Sequence, residues 1–337
     1  MTSPGRSLNT GTRAATLLVV AAAVCFGTTG TAQALGAADA SALSLGAARI
    51  VFGGALLALI ALAIAARTRR GGVTGTELCA PSDDSPSAPP RAPGRRRSPA
   101  AALALVIVGA IGVAAYQPTF FTGTHENGVA VGTLVALGSA PVLTGLLEWG
   151  VRRKAPGLRW ALATAVAAAG VAVLSGILSP AQSGSGASGT VTVVGLLGSL
   201  GAGASYAVYA LSSKLLLDRG WPPTAAMGAT FGAAAVIMAP VLLTTDLGWL
   251  ARPGGLASTA WLAIVTVALA YTLFARGLRR LPASRAATLT LVEPLTATVL
   301  GVLLLHEQFT ASIVVGLLLL VAGILILTIT RRPQRRI

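Results

Sequence analysis

Apolar residues run in stretches of about 20, the length that crosses a bilayer's hydrocarbon core as an α-helix rising 1.5 Å per residue. Ten such stretches predict transmembrane helices over roughly 14–36, 43–66, 100–121, 127–149, 158–178, 191–216, 224–244, 257–278, 284–305 and 309–330. Polar residues are unevenly shared among them. Spans five and ten are almost wholly aliphatic and are expected to face lipid or a scaffold interface. Spans one, three, six, eight and nine carry the hydroxyls, amides and tyrosines.

The pattern occurs twice. Residues 134–174 and 287–327 superpose so that Pro141 falls on Pro294, Gly170 on Gly323 and Leu174 on Leu327, a shift of 153 residues in each case. Each copy reads as a proline-bearing apolar helix, a short charged break and a plainer apolar helix. Repeated sets of membrane helices are a building plan of secondary transporters, with the binding site between the repeats.

Composition agrees with a membrane chain. Of 337 residues, 54% are hydrophobic and 10% charged, against about 25% charged in soluble domains. Cys25 falls inside an apolar span and Cys79 in a polar linker, so neither suggests a disulfide or a metal site.

The net charge of +15 points to topology rather than nucleic acid. With the N-terminus in the cytoplasm, all of the 25 Lys and Arg residues except Arg49 and Arg252 fall on the inner side. Five spans per half is odd, so the second half enters the membrane from the opposite side. The expected fold is an all-α membrane protein of ten transmembrane helices, arranged as two inverted five-helix repeats with both termini cytoplasmic. The expected organisation is a cytoplasmic N-terminus (1–13), a first repeat (14–178) with a disordered linker (67–99), an outer loop (179–190), a second repeat (191–330) and a basic tail (331–337). Arg13, the apolar run after it and Ala32-Gln33-Ala34 resemble a signal peptide. The length of the run and the spans that follow favour a retained helix.

Glu293 is the sharpest candidate residue. It lies nine positions beyond Ser284, about 14 Å into a core of roughly 30 Å. A carboxylate at mid-depth is expensive and reads as a functional site for a proton, a cation or an amine-bearing substrate, with a protonated Glu hydrogen-bonded between helices as the alternative. Pro294 cannot donate to the Thr290 carbonyl, which should kink the helix and leave a free acceptor beside the carboxylate. Arg49, about 9 Å into span two, could snorkel outward, pair with Glu293 or meet a substrate carboxylate. Gln33, Tyr116, Gln117, Tyr206, Tyr209 and Tyr271 are expected to line a shared cavity, with bonding between helices as the alternative. For single Ser and Thr residues, including Thr28, Thr119, Ser212, Thr272, Thr288 and Thr290, bonding within the bundle is favoured. Pro141 is the matching helix-kink position of the first repeat. Glu148 is expected at the inner interface.

No P-loop, H-E-x-x-H, G-x-S-x-G or CxxC pair occurs, so no catalytic residue, metal or cofactor is assigned. His125-Glu126 and His306-Glu307 read as solvated outer-loop residues.

The pattern resembles the EamA-like members of the drug/metabolite transporter superfamily. The resemblance rests on Ala47-Ala48-Arg49, Pro141 and Gly170 in the first copy. In the second it rests on Glu293-Pro294, Leu304-Leu305-His306-Glu307, Gly316 and Gly323. Two departures stand out. Cys25-Phe26-Gly27 occupies the place where members often show Trp-Gly, and Lys154 the place of a Glu matched to Glu307. The resemblance implies export of small metabolites such as amino acids, amines or drugs across the cytoplasmic membrane.

The sequence therefore reads as a secondary transporter, with a small-molecule substrate, the lipid bilayer and protons as partners, acting as monomer or homodimer without nucleic acid. A broad-specificity drug exporter is the rival within transport. An integral-membrane enzyme on lipid-linked substrates and a membrane scaffold or sensor are rivals from other classes. The scattered acids disfavour the enzyme, and the cost of Glu293 disfavours the scaffold.

Overall fold

The structure is a computed structural model and describes residues 4–73, 98–174, 191–305 and 311–329. Among these residues the regular structure is entirely helical. Nine helices among the described residues are long and apolar enough to cross a membrane: span one (Gly11–Gly36), two (Ala42–Arg70), three (Pro99–Gly128), four (Val131–Arg152), six (Val193–Asp218), seven (Pro223–Leu243), eight (Pro253–Leu278), nine (Ala283–Leu304) and ten (Ala311–Thr328). Span five is an apolar helix over Leu158–Leu174, which a rise of 1.5 Å per residue makes about 25 Å long. Most of the linker, the 179–190 loop, the basic tail, Cys79 and His306-Glu307 lie outside the described residues.

Between spans three and four, a loop over about 122–126 is replaced by helix. Span three continues to Gly128, whose φ of 78° and ψ of 156° break the helix. A side chain strains in that left-handed region, and glycine does not. The chain reverses there, because Gly132 packs directly on Gly123 and Thr124. Eight residues of straight helix would hold those positions about 12 Å apart. His125 and Glu126 accordingly sit on the last helical turn rather than in a loop, with His125 Nδ1 3.8 Å from Glu126 Oε1.

Contacts between helix ends define two rims. At the basic rim, Arg152 pairs with Asp218 and Lys214 reaches the Leu278 carbonyl at 2.9 Å. At the opposite rim, Asp39 pairs with Arg252. There Ser44 Oγ accepts from Trp249 Nε1 at 2.9 Å, and Asn127 Oδ1 accepts from the Thr192 amide at 2.7 Å. Consecutive spans thus alternate in direction.

Packing relates the two halves by an approximate two-fold exchange. Span two packs on seven and five on ten. Spans three and four both pack on six, as eight and nine both pack on one. The five–ten crossing carries the 153-residue shift into three dimensions. A Cβ on Gly170 would lie 2.8 Å from the Leu320 amide and 2.9 Å from the Gly316 carbonyl. A Cβ on Gly323 would lie 2.8 Å from both the Ala163 carbonyl and the Ala167 amide. The shift carries Ala163, Ala167 and Gly170 onto Gly316, Leu320 and Gly323. The two aliphatic spans are therefore joined backbone to backbone, through the small residues that close approach in lipid requires.

Candidate functional site

Three helices are interrupted at mid-depth. Span one breaks at Thr28, between helices ending at Gly27 and starting at Thr29. Span eight contains a π-helical stretch over Leu262–Leu269. Span nine is two helices, Ala283–Leu289 and Val292–Leu304, with Thr290 and Leu291 between them. Glu293 stands in the first turn of the second piece, where the exposed amides of a helix start favour negative charge.

The break before Pro294 differs from the expected one in an important detail. The Thr290 carbonyl is not free, because it accepts from the Glu293 amide at 2.9 Å. That tighter turn takes up the acceptor that proline cannot serve. Thr290 Oγ1 in turn shares a 3.0 Å hydrogen bond with Tyr206 of span six. At the matching place in the first repeat, the helix passes through Pro141 with helical φ and ψ, so no break accompanies that proline.

Spans one and nine cross at this point. A Cβ on Gly27 would lie 2.7 Å from the Glu293 carbonyl. In the other half, a Cβ on Gly203 of span six would lie 3.2 Å from the Ala140 amide. Ala140 is the residue that the 153-residue shift places on Glu293. The backbones repeat the crossing, but only one copy carries a carboxylate.

A cavity of about 840 Å³ opens from this crossing toward the opposite rim, within the usual size of small-molecule sites. Gln33, Arg49, Tyr116, Gln117 and Glu293 all line it. Phe120, Phe121, Thr133, Leu137 and Thr298 are among the other lining residues and were not singled out by sequence. Only their helical register relative to Tyr116 and Glu293 could have found them. Tyr116 stacks on Phe120 with centroids 5.7 Å apart.

Arg49 and Glu293 face this cavity together without touching. Arg49 Nε is buried with no hydrogen-bond partner. Among the described residues no ion pair within 4.0 Å involves either side chain. The direct pairing considered for them is therefore absent, and the charges are separated by space that a ligand can enter.

The other three tyrosines are placed differently. Tyr206, Tyr209 and Tyr271 form an aromatic cluster outside the cavity lining. Tyr209 lies 5.0 Å from Tyr206 and 6.0 Å from Tyr271 between ring centroids. Tyr271 also packs at 4.0 Å on Phe231 and 4.8 Å on Phe26. Tyr209 is packed in the core, its hydroxyl beside those of Tyr206 and Tyr271 but without a well-formed hydrogen bond. The polar pattern of spans six and eight could not show that these tyrosines pack on one another rather than on the cavity. Most threonines bond carbonyls of their own helix, as Thr119 does with Ala115 and Thr272 with Ala268, both at 2.7 Å. Thr164 of span five bonds Thr288 of span nine at 2.8 Å.

Toward the basic rim lies a charged chain that includes Glu148, which sequence placed at the interface. Glu148 is buried rather than interfacial. Its Oε1 accepts from the Ala283 amide at 3.1 Å, and its Oε2 from the Ser284 amide at 2.9 Å and the Ser284 hydroxyl at 2.7 Å. It thereby caps the start of span nine from span four, where a negative charge suits the helix dipole. Arg152 Nε lies 3.2 Å from Glu148 and also pairs with Asp218. Asp218 holds Lys214 at 3.1 Å, and Lys214 caps the end of span eight through the Leu278 and Arg279 carbonyls. Both ends of the connection between spans eight and nine are held by residues of spans four and six.

Two repeats of membrane helices around a mid-depth cavity lined by Arg49 and Glu293 define a multi-pass membrane transporter. The chain belongs to the EamA-like transporter family, whose sequence profile matches residues 13–176 and 193–329. It is 37% identical over 319 residues to the "Uncharacterized transporter YwfM" of Bacillus subtilis (strain 168), covering 95% of each chain. It is 32% identical over 149 residues to the "Threonine/homoserine exporter RhtA" of Escherichia coli (strain K12), covering 44% of this chain and 49% of that one. A crystal structure with 21% identity shares the fold at a TM-score of 0.69, over 93% of this chain and 95% of that one.

Proposed function

We propose that this chain is a secondary active exporter of small organic zwitterions, amino acids foremost, working by alternating access in the cytoplasmic membrane. One observation carries the reading: Arg49 and Glu293, of opposite charge, line one cavity without pairing. A substrate with carboxylate and ammonium groups complements both, the carboxylate against Arg49 and the ammonium against Glu293. The partial relationship to a protein named for threonine and homoserine export supports the same substrate class. The positive-inside rule puts the basic rim in the cytoplasm. The structure then corresponds to an outward-facing state, with the Glu148 chain as the closed inner gate. Glu293 serves as the coupling carboxylate, holding a proton when the substrate has left.

Counterflow of labelled threonine in proteoliposomes tests this reading. Glu293→Gln should abolish the response of flux to an imposed proton gradient. If that variant keeps full, equally pH-sensitive flux, the role of Glu293 is wrong. A second reading, export of aromatic drugs, is favoured by the Tyr116–Phe120 stack and by Phe121, edge-on to Phe120 at 5.7 Å. Ethidium transport that threonine does not inhibit would select it.

A further inference from the structure

A second pocket of about 580 Å³ lies at the basic rim, between the 152–157 connection and the ends of spans six, eight, nine and ten. Its charge is lopsided. Glu148 is the one acidic residue in its lining, and that carboxylate is already engaged by Ala283, Ser284 and Arg152. Lys154, Arg159, Arg280 and Arg285 line the same space, and among the described residues none of them makes an ion pair.

Two of these cations are held in place. Arg159 Nε donates to the Ile326 carbonyl and Arg285 Nη2 to the next one, Leu327, at 3.1 Å. Capping the end of span ten accounts for one donor on each side chain. A guanidinium carries five. Arg285 Nε is buried and has no partner. Two guanidiniums fixed side by side on successive carbonyls, with no carboxylate between them, are stable together when an anion takes the remaining donors.

The surroundings indicate which anion. Trp160, hydrogen-bonded through Nε1 to the Ser284 carbonyl at 3.1 Å, forms one wall, and Leu327 another. Leu158 and Leu162 on span five, and Leu325 and Ile329 on span ten, are exposed and neighbour the lining residues Arg159, Trp160 and Leu327 along their helices. An apolar surface meeting a basic pocket at a helix end suits a phosphate with acyl chains attached.

We propose that this pocket binds the phosphate of an anionic phospholipid headgroup from the adjacent leaflet, and so ties spans five, nine and ten together at that face. The site is separate from the transport cavity, and the proposal does not depend on the transported substrate.

The full-length protein, purified and exchanged into neutral detergent, is titrated with phosphatidylglycerol, with phosphatidylcholine and with inorganic phosphate. Thermal midpoint and native mass spectrometry are read together. Phosphatidylglycerol should raise the midpoint and remain as a discrete adduct, and phosphatidylcholine should do neither. Lys154→Gln/Arg280→Gln removes two lining charges that bond nothing among the described residues. It should weaken the phosphatidylglycerol effect about tenfold or more. Arg69→Gln/Arg70→Gln, equally basic but on the far end of span two, should leave it unchanged. Equal effects of the two lipids, or undiminished binding by Lys154→Gln/Arg280→Gln, would overturn the proposal. Stabilisation by inorganic phosphate with no added effect of phosphatidylglycerol would overturn the lipid assignment in favour of a soluble anion.

Discussion

Glu148 of span four packs against the first turn of span nine and accepts from both the amide and the hydroxyl of Ser284, at 2.9 and 2.7 Å. The two residues come from different repeats. Any movement of one repeat against the other at this rim must break these bonds, together with the Arg152–Asp218 pair beside them.

That geometry sets a first prediction. Hydrogen bonds to a charged acceptor contribute about 1.5–3 kcal/mol each, and about 1.4 kcal/mol is a tenfold change in a two-state equilibrium. Ser284→Ala removes one such bond and Glu148→Gln the charge. Both should open the basic rim more often, by about tenfold for Ser284→Ala. A single cysteine at position 281, in a background lacking Cys25 and Cys79, reports this as faster labelling by a membrane-impermeant maleimide. Unchanged labelling in both variants would remove the gate role.

Arg49 and Glu293 should divide the substrate between them. Arg49→Gln is expected to weaken binding of amino acids about tenfold or more, the loss of one charge-assisted contact, while sparing amines that lack the carboxylate. Glu293→Gln should show the reverse preference. Competition against labelled threonine flux measures both. Equal losses for both ligand types in Arg49→Gln would argue against a carboxylate contact there.

Tyr209 and Tyr206 offer a graded test. The buried Tyr209 hydroxyl stands beside those of Tyr206 and Tyr271 without a well-formed hydrogen bond, and a weakly held buried hydroxyl contributes little to stability. Tyr209→Phe should therefore change the thermal midpoint and flux less than Tyr206→Phe does. Tyr206→Phe breaks the bond to Thr290 beside the helix break, and should lower the midpoint and flux together.

The five–ten crossing predicts matched sensitivities. Gly170→Val and Gly323→Val each drive a side chain into backbone 2.8 Å away. Overpacking of this kind costs about 1–3 kcal/mol. The two variants should lose similar stability, because each glycine meets the other's equivalent neighbours. Thermal unfolding in detergent checks the pair. A large difference between them would mean the symmetry does not extend to energetics.

Much of this was legible in the sequence, for identifiable reasons. Helices in lipid must satisfy their backbone internally, so long apolar runs report spans directly, and the repeat around Pro141 and Pro294 reports the relation between halves. Glu293, Arg49, Gln33, Tyr116 and Gln117 stand out because polar groups are costly in lipid. The sequence could not say which tyrosines face the cavity, since all four lie within spans and only packing turns Tyr206, Tyr209 and Tyr271 toward one another while Tyr116 lines the cavity. Nor could it reveal that Glu148 is buried. That depends on Ser284, distant in sequence, arriving at the same depth. The carbonyl of Thr290 was expected to be free because the proline removes one donor, but the Glu293 amide moves in to replace it.

The crossing of spans five and ten has one further implication. Each span presents both a glycine notch and the stretch of backbone that fills the other's notch, so the surface is self-complementary, the kind that two identical subunits use about a two-fold axis. One polypeptide here makes the contact that two half-length copies could make with each other. What a single chain adds is the freedom for the halves to differ: Ala140 in one place and Glu293 in the other, a distinction that a pair of identical halves could not hold.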